Sequence, residues 1–315
     1  MPDLYYGFDT SNYTTSCAVC FDDGSYRHER QLLPLASGEK GIRQSNAVFY
    51  HTRALPGLFH ALTEKLDGKP AAVGCSVSPR DSAESYMPCF LVGETAASVA
   101  ADVAGVPLYR FSHQAGHVAA AALTCGEPEI LNHPFLSFHV SGGTTDLIYA
   151  EPDDETVIRI QPVVSSLDLK AGQAVDRVGL SLGLDFPAGP ALERLAAQSV
   201  RSFRPVVFLR DGCASFSGLE NQCGKMLQDG ESACDIAKFC LSYIAKALLL
   251  MTDYALSIYP GLPVLFAGGV MSDLLIRAAL AGIDRAKFAK PELSSDNAVG
   301  AAYLAMLAHR RRCGE

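Results

Sequence analysis

Two histidines four residues apart, in the run His113-Gln114-Ala115-Gly116-His117, are the side chains best suited to chemistry in this sequence. On a helix, residues i and i+4 share a face, so both imidazoles can reach one ion. Taken alone, such a pair is a modest signal, because histidines are common in cores and on surfaces. Zinc proteases place a Glu beside the first histidine as the base. Gln114 holds that place and cannot take a proton, which argues against proteolysis.

Two glycine pairs suggest anion binding. Val140-Ser141-Gly142-Gly143-Thr144-Thr145 puts two glycines between strands, where consecutive N–H groups can cradle a phosphate. Gly268-Gly269 follows a strand and precedes a helix, a common place for a nucleotide contact. Either loop alone reads equally well as a tight turn. With the acidic first turn Asp9-Thr10-Ser11, they resemble the phosphate-gripping set of the actin–hexokinase–Hsp70 architecture. Asp176 reads from the residues alone as a helix-surface charge paired with Arg177 or solvent, and Asp273 as a helix cap.

These groups need elements to hold them. Leu4 to Phe8 is a short apolar strand. A second strand contains Cys17 and Cys20, whose spacing on a strand turns the thiols to opposite faces and argues against a shared metal. The Asp22-Asp23-Gly24 turn leads to a third strand, Ser25 to about Leu33. Leu55, Leu58, Phe59, Leu62 and Leu66 mark a helix that Gly68 can end. A strand from Ala71 to Val77, a helix from about Val92 to Ala104, a strand from Val106 to Phe111 and a helix from His113 to about Thr124 follow. The plan then restarts: strands Phe135 to Val140, one up to Ala150, a turn at Pro152-Asp153-Asp154, and a strand from about Thr156 to Pro162. The repeat predicts an internal duplication. Later come a long helix (about Cys234 to Ile258), a strand (Pro263 to Ala267), a helix (about Asp273 to Ala281), a short strand (Lys287 to Ala289) and a last helix from Asp296. Ser294, Ser295 and Asp296 offer its N-cap. The expected architecture is α/β: one lobe of residues 1–126, with the helix 296–312 packing back onto it, and a second of 127–295.

With 315 residues, 49% hydrophobic and 19% charged, the chain can bury two cores. The net charge of −8 argues against broad attraction to nucleic acid, although a more basic partner could deliver RNA. The most apolar long stretch, Phe239 to Leu256, contains Lys246 and Asp253 and reads as a buried helix rather than a membrane span. Met1-Pro2-Asp3 has no basic n-region, and the ten scattered cysteines suit reduced thiols. The expectation is a cytoplasmic protein with no membrane partner.

In this order, the pieces resemble the TsaD/Gcp family, the tRNA N6-adenosine threonylcarbamoyltransferases formerly called O-sialoglycoprotein endopeptidases. Asp9-Thr10-Ser11 with Thr15-Ser16 resembles the opening DTSCDETS, and His51 stands at the last His of ASRxH. Phe111 to His117 resembles NHxEGH. Val140 to Thr145 resembles VSGGHT. Gly172 to Arg177 and Gly183 to Pro190 resemble GEAFDK and LGLxYPGGP. Ser215-Phe216-Ser217-Gly218-Leu219 resembles SFSGLK, Ala267 to Val270 resembles AGGVAAN, and Ser294 to Ala298 resembles CTDNAA.

The resemblance implies two actin-like (ASKHA, ribonuclease-H-like) lobes with the site in a central cleft. It implies a metal held by His113, His117 and Asp296, and two imidazoles with a carboxylate suit iron(II) or zinc. It implies catalytic roles for Asp9, Ser141 and Thr144. It further implies that Val140, Ser141, Gly142, Gly143, Asp176, Gly189, Gly268, Gly269 and Asp273 bind an adenine nucleotide or acyl-adenylate. The implied partners are an adenylate-forming enzyme, a homologous subunit, and tRNA brought through partners. The implied reaction moves threonylcarbamoyl to N6 of the adenosine beside the anticodon.

Several positions depart from the family pattern. Tyr13-Thr14 replaces an acidic pair, Ala115 the Glu of NHxEGH, Thr144 the His of SGGHT, Asp273 the Asn after the second glycine loop, and Ser78-Pro79-Arg80 the GPG loop. The metal set is kept while acids around it are lost, the pattern of a divergent paralogue. Two alternatives stay open: a carbamoyltransferase acting on a small molecule, and a non-catalytic nucleotide-binding paralogue that serves as a partner subunit.

Overall fold

Short turns join the first three strands, and the second is buried along almost its whole length, so both faces of the sheet are covered there. The computed structural model describes residues 1–11, 13–34, 42–82 and 84–314. It shows strands β1 (Asp3–Asp9), β2 (Thr14–Phe21), β3 (Tyr26–Leu32), β4 (Lys69–Ser78) and β5 (Leu108–Ser112) in the order β3-β2-β1-β4-β5. The first three run antiparallel, and β1, β4 and β5 run parallel. Leu4, Phe8, Cys17, Val19, Val73 and Cys75 pack with Leu55, Leu62, Ala97 and Ala101 of helices α1 (Gln44–Thr63) and α2 (Phe90–Ala104). Cys20 points the other way, toward the Val299 carbonyl, so the two thiols do lie on opposite faces. Helix α3 (His113–Cys125) starts directly after β5.

Helix α1 differs from its sequence reading. It runs through Pro56 and stops at Thr63, so Leu66 lies beyond it. Lys65, not Gly68, adopts the left-handed conformation after the helix, at φ 65°. Gly68 has another use: a Cβ there would press into the Leu4 side chain at 2.7 Å.

The second sheet contains β6 (Phe135–Val140), β7 (Thr145–Asp153), β8 (Val157–Ser165), β11 (Val264–Ala267) and β12 (Ala286–Phe288). Between them come helices α4 (Ala171–Ser181) and α5 (Gly189–Ala196), a small ladder of β9 (Leu209–Arg210) with β10 (Cys213–Ala214), and helices α6 (Ser217–Gln228) and α7 (Ala233–Ile258). Helix α8 (Leu274–Leu280) lies between β11 and β12. The order β8-β7-β6-β11-β12 repeats that of the first sheet, again with parallel β6, β11 and β12, as expected of a duplication. Strand β7 carries on through Pro152 to Asp153, so the turn falls at Asp154-Glu155-Thr156, two residues later than the Pro-Asp-Asp signal suggested. Helix α7 is the core of this sheet's helical layer, and Ile236, Cys240, Leu241, Ile244, Leu248 and Met251 are buried along it.

The chain divides into two compact units. One comprises residues 1–133, 151–160 and 295–315, the other 134–150 and 161–294. The first is therefore larger than the expected 1–126 plus 296–312. Arg311 supplies a reason: its guanidinium donates to the Asp153 and Val157 carbonyls, and to the Asn132 side chain.

The last helix, α9 (Val299–Cys313), begins three residues later than Asp296. The expected Ser294-Ser295-Asp296 cap does not form: the N-cap is Ala298, with no side-chain capping bond, and Asn297 before it accepts from the Val299 N–H through Oδ1. Helix α9 lies against β1 and β4 at Gly7 and Gly74, where a Cβ would run into the Ala298 and Ala301 carbonyls. It meets α3 at a backbone contact, since a Cβ on Gly300 would overlap the Gly116 carbonyl. No helix among the described residues is long and apolar enough to cross a membrane.

Overpacking such a contact forces backbone shifts that cost ~1–3 kcal/mol or more. Gly300→Ala should lower stability by at least about 1 kcal/mol in urea unfolding. Gly57→Ala, in α1 with nothing within 4 Å of a new Cβ, should raise it by about 0.5–1 kcal/mol through helix propensity. Equal effects at the two positions would refute the close-contact account of α3 and α9.

Candidate functional site

In the first unit, Ser112 caps α3 by accepting from the Ala115 N–H at 3.1 Å, which starts the helix at His113. His113 and His117 then lie one turn apart with ring centroids 4.4 Å from each other. Their Nε2 atoms are 3.0 Å apart, and Asp296 Oδ1 is 3.5 Å from His113 Nε2 and 3.3 Å from His117 Nε2. One ligand atom from each residue falls within 4.8 Å of the others. Asp296 can do this because it precedes α9 rather than capping it.

Behind this cluster sits Asp9, 1% exposed. Its Oδ2 is 2.7 Å from His113 Nδ1 and accepts from Ser76 Oγ at 2.5 Å, while Oδ1 accepts from the Ser11 N–H at 2.9 Å. The Nδ1 proton of His113 therefore belongs to Asp9, and Nε2 is the atom turned toward His117 and Asp296. A buried carboxylate fixing a histidine from behind is the usual support of a metal-binding imidazole. The donor set fits a transition metal, with two imidazole nitrogens and one carboxylate oxygen converging. Asp9, expected as a catalytic group, has both oxygens engaged, by Ser11, Ser76 and His113.

Burial opposes charge on His113, but Asp9 and Asp296 override it and push the imidazole up to about 10. Burial also works against ionised Asp9 and Asp296. Contact with His113, joined by Ser76 and Ser11 for Asp9 and by His117 for Asp296, nonetheless holds both carboxyls below their usual range. His51 is fully buried, hydrogen-bonded through Nδ1 to Thr15 at 2.8 Å, and pushed down to about 4 by burial, so it is neutral near pH 7. It is not among the three converging ligands.

The second unit holds a cavity of about 250 Å³. Of the residues expected to bind nucleotide, Gly142, Asp176, Gly189, Gly269 and Asp273 line it. The two glycine loops meet because β6 and β11 pair in parallel and end together, Ala267 opposite His139. Gly268 sits at φ 100° with the Val140 carbonyl where a Cβ would be, so these two residues join the loops rather than line the cavity. Ser141 Oγ accepts from the Gly143 and Thr144 N–H groups at 3.2 and 3.1 Å and so orders its own loop. Thr144 and Gly143 are not in the cavity lining.

Asp176 is not a surface partner of Arg177, which pairs with Glu220 at 3.0 Å. Its Oδ1 accepts from the Ala188 N–H at 2.9 Å at the cavity wall. Asp273 both lines the cavity and caps α8, accepting from the Ile276 N–H at 2.9 Å. Three residues escaped the sequence reading. Ser76 lies within the apolar strand β4 with no motif around it. Glu193 lines the cavity and accepts from the Leu274 N–H at 2.8 Å. Gly172 stood inside a quoted motif, and a Cβ there would meet the Gly142 nitrogen at 2.6 Å.

A family model described as TsaD, tRNA N6-adenosine threonylcarbamoyltransferase, matches residues 86–303, over two thirds of the chain. The chain belongs to this family. The match contains the two histidines, Asp296, both glycine loops and the cavity carboxylates. Among solved structures, component A of the (R)-2-hydroxyglutaryl-CoA dehydratase of Acidaminococcus fermentans aligns with a TM-score of 0.53 at 15% identity, over 98% of this chain and 99% of that one. HypF from T. kodakarensis aligns with a TM-score of 0.61 at 14% identity, over 99% of this chain and 48% of that one. Full-length HypF in its phosphate- and nucleotide-bound form gives 0.58 at 12% identity, over 98% and 46%. The chain thus spans about half the length of HypF. At these identities the likeness is one of fold, and that fold is actin-like α/β with two five-stranded sheets.

Because His113 holds its proton up to about pH 10, a metal ion must displace it. Metal affinity should therefore rise about tenfold per pH unit through neutrality, with about one proton released per ion bound. Calorimetry in buffers of different ionisation enthalpy counts that proton, and a pH-independent affinity would contradict the assignment.

Asp273 gives a second pH prediction. Burial raises its pKa from 3.8 to about 6, so between those values the folded chain binds more protons than the unfolded one. Stability contributed by Asp273 is therefore lost as pH rises from about 4 to 6. Asp273→Asn keeps a capping oxygen and should be more stable at pH 7 by up to about 2–3 kcal/mol, with the gain gone at pH 4. Urea unfolding at both pH values decides it.

Proposed function

We propose that this protein transfers a carbamoyl-type acyl group, by family default threonylcarbamoyl, from an acyl-adenylate to N6 of a tRNA adenosine beside the anticodon. His113, His117 and Asp296 would hold one iron(II) or zinc ion. The observation that carries the reading is the convergence of these three ligand atoms in front of buried Asp9, in a chain of this family. A bound metal would supply positive charge for the donor's oxygens.

The chain's own groups divide the remaining work. Asp9 holds His113 in one tautomer and one orientation. Gly142 and Gly269 leave room at the cavity wall for the nucleotide's phosphate-bearing end. Asp176, Glu193 and Asp273 each use one oxygen on a backbone amide, which leaves acceptors for ribose hydroxyls and a base amine. In the transfer, the acceptor amine bonds to the acyl carbon, the bond from that carbon to the phosphate oxygen breaks, and AMP leaves as the amine gives up a proton. On this reading the protein works in the cytoplasm beside the enzyme that makes the adenylate, with a homologous subunit as a further partner.

A small-molecule acceptor is the second reading. It is favoured by Ala115, which is buried on the ligand helix and can neither accept a proton nor bear charge where the family has Glu. Loss of such a group slows transfer by ~10²–10⁴-fold.

Purified protein should contain about one transition-metal ion per chain, and His113→Ala or Asp296→Ala should remove it. Metal content unchanged by both substitutions would sink the site. In cells depleted of their housekeeping family member, this gene should restore threonylcarbamoyladenosine only weakly, as read from tRNA nucleosides. Full rescue would show that Tyr13, Thr14, Ala115 and Thr144 are tolerated, and would remove the small-molecule reading.

A further inference from the structure

Residues 200–208 carry no regular secondary structure and run into β9. Their exposure nevertheless alternates: Phe203, Pro205, Val207 and Leu209 are half-buried, while Arg204, Val206, Phe208 and Arg210 are exposed. Such alternation is the mark of an extended chain with one face held down. The inner row is anchored. Phe203 meets Phe239 of α7 edge-on at 5.6 Å, and Val207 and Leu209 pack on the core of the second unit. The far end is tied by the Phe208 carbonyl, which accepts from the Ser215 N–H.

The outer row is a fixed strip in the order Arg, Val, Phe, Arg. Val206 is 85% and Phe208 63% exposed. Among the described residues, no carboxylate pairs with Arg204 or Arg210, whereas nearby Arg201 is held by Glu231 and Asp235. Two guanidinium groups without a carboxylate partner thus bracket an exposed aromatic ring. Aromatic faces stack on unpaired bases and arginines take the phosphates beside them, which is how single strands are bound with little sequence preference. A duplex keeps its bases stacked on each other and offers Phe208 nothing. Six residues of extended chain cover roughly 20 Å, room for a short run of nucleotides between the guanidinium groups.

We propose that Arg204, Val206, Phe208 and Arg210 form a docking strip for single-stranded RNA of the kind a tRNA loop presents. This rests on the RNA-acceptor reading above. It gives the acidic chain its own contact with the acceptor, in addition to any basic surface a partner brings.

The test is fluorescence anisotropy on the full chain, with a tRNA anticodon stem-loop and a blunt RNA duplex of equal length as probes, across a range of salt. The stem-loop should bind more tightly than the duplex. Phe208→Ala should weaken stem-loop binding at least about fivefold. Arg204→Ala with Arg210→Ala should lower the slope of log affinity against log salt by about 1.4, the share of two single-strand phosphates. Arg53→Ala, an exposed arginine on α1, should leave the slope unchanged. Tighter binding of the duplex, or affinity and slope unchanged in the strip variants, would overturn the proposal. Metal content and nucleotide affinity of the same variants should stay at wild-type levels. RNA results as expected in a chain that binds neither metal nor nucleotide would sink the donor-site reading and leave the strip standing.

Discussion

The backbone contact between Gly300 and Gly116 decides where the candidate ligands can be. Gly300 has no Cβ, so α9 and α3 approach until main chain meets main chain, whereas a Cβ on Gly116 would reach nothing nearer than the Ala301 nitrogen at 3.8 Å. Asp296 comes four residues before Gly300, and His113 and His117 lie on either side of Gly116. Closing this gap therefore brings the carboxylate to the imidazoles. Gly7 and Gly74 serve the same purpose on the sheet, allowing α9 to lie directly on β1 and β4. His117 and Asp296 are 179 residues apart in sequence, but their spacing is set by a few missing methyl groups.

Charge is the second constraint. Asp9 is almost fully buried, and a lone carboxylate there would be costly. Ser76, the Ser11 amide and His113 together make it tolerable. The same contacts engage both oxygens of Asp9, and they aim His113 Nε2 outward. Orientation and satisfaction of the buried charge are thus one arrangement.

Much of the fold was legible because strand alternation and the repeat of three strands with a small polar turn are local signals. They yielded both sheets and the opposite-facing Cys17 and Cys20. The end of α1 was misread because Gly68 looked like a cap, while Lys65 took the left-handed turn and Gly68 made way for Leu4, a residue sixty-four positions earlier. The start of α9 was misread because Asp296 has the chemistry of a cap, and only the tertiary position of the histidines reveals its other partners. In the site, motif residues such as His113, Gly142 and Asp176 could be found from their neighbours in sequence. Ser76 and Glu193 could not, since their partners are distant and nothing local marks them. The strip at 204–210 is illegible for a related reason: five apolar residues in a row lie between Arg204 and Arg210, and only the exposure of each side chain shows which of them face out.

The two sheets share one strand order, so the turn after β1 and the turn after β6 are the same place in a fold built twice. They differ electrically. The first ends in a carboxylate sunk below the surface, which makes its surroundings a host for positive charge. The second has no ionisable side chain from Ser141 to Thr144, and its serine hydroxyl already takes the Gly143 and Thr144 amides. One hairpin turn, present in both sheets, thus carries a fixed charge in one copy and none in the other.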